Sequence, residues 1–164
     1  MNNSTVLNRV GLTSLSLALL AFLSSPSGMF GDEGKTGETA GLEASPDLTG
    51  KWKIISMESD GEKKTGSEIT MAAVRFDKSK LYLGEGEFSF VMNYKTDSSK
   101  RPHSVVLSIA SSPFGADDTP HFGLVSRSGD TMKLIYAMPG ESAPKEFKAP
   151  AGKRYRNMVL ELVK

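Results

Sequence analysis

Across most of residues 52–163, bulky apolar and small or polar side chains alternate with a period of two. That spacing places every second residue of an extended strand on one face. The cleanest run is Phe88, Phe90, Met92 and Tyr94, interleaved with Ser89, Val91, Asn93 and Lys95. Shorter runs of the same kind occupy 52–58, 74–76, 81–83, 105–109, 122–126, 132–136 and 158–163. Turn chemistry separates them: Ser59-Asp60-Gly61, Asp77-Lys78-Ser79, Gly84-Glu85-Gly86 and Ser128-Gly129-Asp130. Such clusters suit hairpin links, and Asp-Gly in particular accepts the positive φ values of tight turns. Segments 96–102 and 113–120 read as polar loops, and a broad polar region starts at Met138-Pro139-Gly140. Residues 63–72 are ambiguous, with Glu68, Ile69, Met71 and Ala72 spaced for a short helical turn. Nowhere does a helical period persist beyond two turns.

The pattern predicts an all-β domain of eight to ten short antiparallel strands. One parity collects nearly all the bulk: Trp52, Ile54, Val74, Phe76, Phe88, Phe90, Met92, Tyr94, Met132, Leu134, Tyr136, Met158, Leu160 and Leu162. One buried and one wet face is the mark of antiparallel sheets. Short links without long crossovers favour an up-and-down order, and closure into a β-barrel removes both exposed edges. A two-sheet β-sandwich is the alternative arrangement of the same strands.

The two ends of the chain change the picture of where it works. Asn2 to Asn8 is polar, Arg9 is charged, and Val10 to Leu23 is an apolar run followed by Ser25-Pro26-Ser27. That order predicts a secretory signal peptide over 1–27, and export to the periplasm or the extracellular space. An uncut N-terminal anchor is the alternative. Residues 28–46 are rich in Gly, Glu and Thr and predict a flexible linker. The barrel domain is then 47–164, with no membrane span once the leader is removed.

Of the 164 residues, 20 are Lys or Arg and 19 are Asp or Glu. Removing Arg9 with the leader leaves the charges balanced, and no basic stripe with interleaved aromatics recruits nucleic acid. Cysteine is absent, which excludes disulfides, thiolate metal sites and a cysteine nucleophile.

Candidate chemistry is sparse. The two histidines, His103 and His121, match no ligand spacing, and both read as surface residues even though Asp117 and Asp118 stand near His121. No Gly-x-Ser-x-Gly elbow is present, and carboxylates such as Glu85 and Glu87 are scattered on turns. No catalytic residue, metal ligand or cofactor is therefore expected, nor an enzyme. What remains is the inward aromatic and methionine set: Phe88, Phe90, Met92, Tyr94, Phe122, Met132 and Tyr136. These side chains either line a pocket for a hydrophobic molecule, with Met as an adaptable wall, or simply fill the barrel. The hydroxyls of Tyr94 and Tyr136 lean toward a pocket, because a buried hydroxyl needs a partner.

Several stretches together resemble small lipocalin-like domains abundant in planctomycete bacteria. They are Leu48-Thr49-Gly50-Lys51-Trp52-Lys53 with Asp60-Gly61, Val74-Arg75-Phe76, Asp97-Ser98-Ser99-Lys100-Arg101-Pro102, Gly129 to Leu134, Pro139-Gly140-Glu141 leading to Phe147, and the apolar ending 159–164. The resemblance spans 47–164. It implies an exported calycin-type barrel without an established activity. It also implies closure at Trp52, with a basic side chain of the last strand, here Lys164, lying across the indole. On this reading the protein binds a small hydrophobic molecule in its barrel. The alternative is a protein-interaction or proteinase-inhibitor-like module with a filled core.

Overall fold

The computed structural model describes residues 45–71 and 73–164. The expected leader and most of the linker lie outside these residues. Among the described residues nine strands form: β1 (Gly50–Ser59), β2 (Glu62–Thr65), β3 (Ala73–Phe76), β4 (Lys80–Leu83), β5 (Phe90–Asp97), β6 (His103–Ser111), β7 (Asp117–Ser128), β8 (Thr131–Ala137) and β9 (Tyr155–Leu162). Each from β3 to β8 pairs antiparallel with the next, β3 pairs with β1, and β9 returns to pair with β1. The result is a closed eight-stranded antiparallel barrel, with β2 as a ninth strand hung on β1. The barrel, rather than the sandwich, is the arrangement adopted.

Strand β1 has two different neighbours along one edge. Its first half pairs with β3 from Gly50↔Phe76 to Lys53↔Ala73. Its second half pairs with β2 from Ser56↔Thr65 to Ser59↔Glu62. The switch opens the wall between β1 and β3 at one end only. The tight turn at Asp60 and Gly61, with φ of 53° and 77°, sends the chain back as β2. A 3-10 turn at Gly66–Glu68 then carries it across to β3.

At the other end the interior is solid. Trp52, Phe76, Leu81, Leu107, Met132, Leu134 and Leu160 are almost wholly buried. Trp52 donates its indole N–H to the Leu48 carbonyl at 2.9 Å. Gly50 sits at φ 142°, and a Cβ there would come within 2.9 Å of Leu162 Cδ1, so the residue two before the tryptophan must be small. The last strand ends beside the first, as expected, through Trp52↔Leu162.

The cation at this end is not the expected one. Lys164 lies beyond β9 and turns outward, its Nζ 2.7 Å from Asp130 Oδ2. The guanidinium of Arg127, near the end of β7, instead stands 5.0 Å from the Trp52 ring. It also donates to the carbonyls of Asp47 and Gly129. Lys164 lies past the last paired residue of β9, whereas Arg127 is held on the inner face by its pairing with Met132.

Outside the barrel, residues 138–154 cross the outer face of β8 and β9. Ile135, Ala137, Ala149 and Tyr155 form a second small core there, with Leu124 and Phe147 packed against it. Asn157 Nδ2 donates to Glu58 Oε2 at 2.9 Å and to the Phe147 carbonyl at 3.0 Å, and Gly61 N–H donates to the Ala149 carbonyl at 2.7 Å. The polar region after β8 thus acts as a strap tied to the β1–β2 turn.

Truncating Trp52 to Ala is expected to cost about 3–5 kcal/mol in unfolding experiments. In a double-mutant cycle, Arg127→Met and Trp52→Leu should couple by about 0.5–2 kcal/mol, the worth of a cation over an indole. Lys164→Ala should be additive with Trp52→Leu. Coupling to Lys164 and none to Arg127 would contradict this assignment.

Candidate functional site

At the end where β1 leaves β3, the barrel interior is not filled. A cavity of about 550 Å³ opens there. Its apolar wall comes from Ile54 and Met57 on β1, Leu83, Phe90 and Met92 on β4 and β5, Ile109 on β6, Tyr136 on β8 with Met138 just after it, and Met158 on β9. Thr70 and Met71, in the link from the 3-10 turn to β3, lie over the gap. Five of the six methionines between Ser45 and Lys164 line this space. Thioether side chains are flexible and polarizable, so such a wall can repack around ligands of different outline.

The lining is graded with depth. Asp60, Glu62, Lys64 and Arg156 bring charge of both signs to the rim, where Arg156 donates to Ser59 Oγ. Ile54, Met92, Met158 and His121 are the most buried lining residues, each under 5% exposed. Leu107, Leu134 and Leu160 pack beneath them and do not reach the cavity.

His121 was expected at the surface, and so was His103; both are buried, at 2% and 3% exposure. His121 Nδ1 lies 3.1 Å from the Ala137 carbonyl, which can only accept, so this nitrogen carries the proton. Its ring meets Tyr136 edge-on, with centroids 5.9 Å apart. Gly123, two residues along β7 on the same inner face, lets strand β8 come close. A Cβ there would fall 2.2 Å from the Ile135 carbonyl oxygen and 3.0 Å from Tyr136 Cβ. His103 sits toward the closed end, where Arg101 donates to its Nε2 at 2.8 Å.

The seven residues expected to point into the barrel divide three ways. Phe90, Met92 and Tyr136 line the cavity. Met132 and Tyr94 belong to the filled end, where Tyr94 packs edge-on against Phe76 and donates to the Asp77 carbonyl at 2.8 Å. Phe88 and Phe122 are corrected: they are 75% and 46% exposed. Gly86–Phe88 forms a 3-10 turn instead of strand, which takes Phe88 out of the alternation. Phe122 lies on the outer face of β7 because His121 and Gly123 take the inner one.

A register count would have found both His121 and Arg127. Across the hairpin, Ser128 pairs with Thr131, which places Arg127, Val125 and Gly123 opposite Met132, Leu134 and Tyr136. Directly opposed residues share a face, so the inward set on β8 makes Arg127, Val125, Gly123 and His121 inward too. Bulk alone pointed to Phe122. Among the described residues, no three or more His, Asp or Glu side chains are grouped to hold a metal ion.

Burial raises the Tyr136 phenol above its ordinary value of 10.0. The folded state therefore keeps its proton at pH values where the unfolded chain loses it. Stability from this group is complete below pH 10 and is lost as pH rises from there through the folded value. Thermal melts of Tyr136→Phe should fall less steeply above pH 10 than those of the parent protein. Tyr94, also raised by burial and by the nearby Asp47 and Asp77 carboxylates, keeps part of the slope in the variant.

No family model, curated protein or solved structure matches this chain.

Proposed function

We propose that this is an exported, lipocalin-like, non-enzymatic protein that binds a small hydrophobic molecule in the open half of its barrel. The observation that carries the reading is the cavity of about 550 Å³, walled by aliphatic, aromatic and methionine side chains. Ligand pockets typically span about 300–1,000 Å³, with mostly apolar walls and a few placed polar groups. Export rests on the order of charge, apolar run and small residues in 1–27, and the family likeness rests on the stretches within 47–164. A protein-interaction role has one observation in its favour: Phe88 and Phe114 stand 75% and 91% exposed, with the Phe114 ring 6.4 Å from Phe90 at the mouth.

Binding is tested by displacement of an environment-sensitive fluorescent fatty-acid probe. Trp52 is a poor reporter, since it lies in the filled end. Ile109→Trp places an indole in the cavity and should weaken probe binding at least about tenfold without lowering the melting temperature. Unchanged probe affinity in that variant would place the bound molecule elsewhere and reject the reading. N-terminal sequencing of exported protein should find Gly28 first.

A further inference from the structure

Among the described residues, three buried side-chain polar atoms have no hydrogen-bond partner: His103 Nδ1, His121 Nε2 and Asn157 Oδ1. Of their three residues only His121 lines the cavity. With Nδ1–H committed to the Ala137 carbonyl, Nε2 of the neutral ring presents a bare lone pair. Tyr136, 8% exposed and edge-on to the same imidazole, makes no hydrogen bond through its hydroxyl to any described protein group. An unpartnered acceptor, His121 Nε2, and a phenol packed edge-on against the same imidazole thus both line one apolar chamber. Leaving a buried polar group unpaired costs more than a hydrogen bond ordinarily returns.

We infer that the ligand is an apolar chain ending in an O–H group, inserted head-first so that it donates to His121 Nε2 and accepts from the Tyr136 hydroxyl. One hydroxyl can do both at once. A protonated carboxylic acid does the same with its two oxygens, whereas an ionised carboxylate can only accept. An ester or a hydrocarbon offers Nε2 no donor, and a fixed cation would lose its hydration against the apolar wall without a counter-charge. The charged lining groups, Asp60, Glu62, Lys64 and Arg156, are mixed in sign, and Arg156, the cross-strand neighbour of Tyr136, is already engaged with Ser59 Oγ. The inference rests on the binding role proposed above and deepens it: the buried His121 sets specificity.

The test uses three ligands of one length, dodecanol, dodecanoic acid and methyl dodecanoate, each competed against the fluorescent probe. The alcohol or the acid should bind about tenfold more tightly than the ester, the factor expected from one well-made buried hydrogen bond. The separate alcohol and acid arms identify which head is preferred. His121→Phe should abolish that preference, whereas Tyr136→Phe, which removes a donor that the oxygens of all three ligands can accept from, should weaken all three together. Because His121→Phe also loses the bond to Ala137, the wild-type 15N spectrum gives a second readout. The His121 Nε2 resonance should shift with the alcohol or acid and stay put with the ester. Equal affinities for all three ligands, or an unmoved Nε2 resonance, overturn the inference while leaving an apolar cavity intact. Failure of all three ligands to displace the probe overturns both.

Discussion

The structure depends on how strand β1 divides its edge. Along one side it pairs with β9 from Trp52 to Glu58, which closes the barrel. Along the other it pairs with β3 only as far as Lys53 and with β2 from Ser56 onward. A strand edge can serve one partner at a time, so the wall that is complete around Trp52 is interrupted above it. Where the wall is complete, side chains from all eight strands meet and fill the interior. Where it is interrupted, Ile54, Met92 and Ile109 border a space that no side chain fills, and the cavity results.

The rest of the chain supports that division. Beneath the cavity, Trp52, Arg127 and the segment from Asp47 to Leu48 plug the closed end through the indole N–H, the guanidinium and the backbone carbonyls they reach. The Asp47 carboxyl, which accepts the Thr49 N–H at 2.9 Å, is held below its ordinary range by that bond. Beside the cavity, the strap over β8 and β9 ties Ala149 and Phe147 to Glu58, Gly61 and Asn157, so the β1–β2 turn is anchored from outside. The open end is braced at its margin, and its lining is rich in flexible methionine side chains.

Much of the fold was legible because alternation reports directly on which face a residue takes. Trp52–Ile54, Val74–Phe76 and Met158–Leu160 all turn inward as their pattern requires. Strand β2, Glu-Lys-Lys-Thr and exposed throughout, was not, since it buries nothing and leaves no apolar mark. The site was only half legible. Alternation assigns a face but not a level along the barrel axis, so Met92 in the cavity and Met132 in the filled end look alike in sequence. Bulk was also a poor guide on β7, where His121 and Gly123 take the inner face and Phe122 the outer. Hydrogen-bond register, propagated through the Gly129-Asp130 hairpin, carries that information, and hydrophobicity does not.

On the proposed function, the open half of this barrel receives a ligand and the filled half is a solid plug. Methyl resonances of the methionines test it directly, because five line the cavity and Met132 lies in the plug. On titration with dodecanol, the methyls of Met57, Met92, Met138 and Met158 should shift together and saturate at one equivalent, while Met132 stays still. A shift of Met132 as large as theirs, or no shift in any of them, would contradict the account.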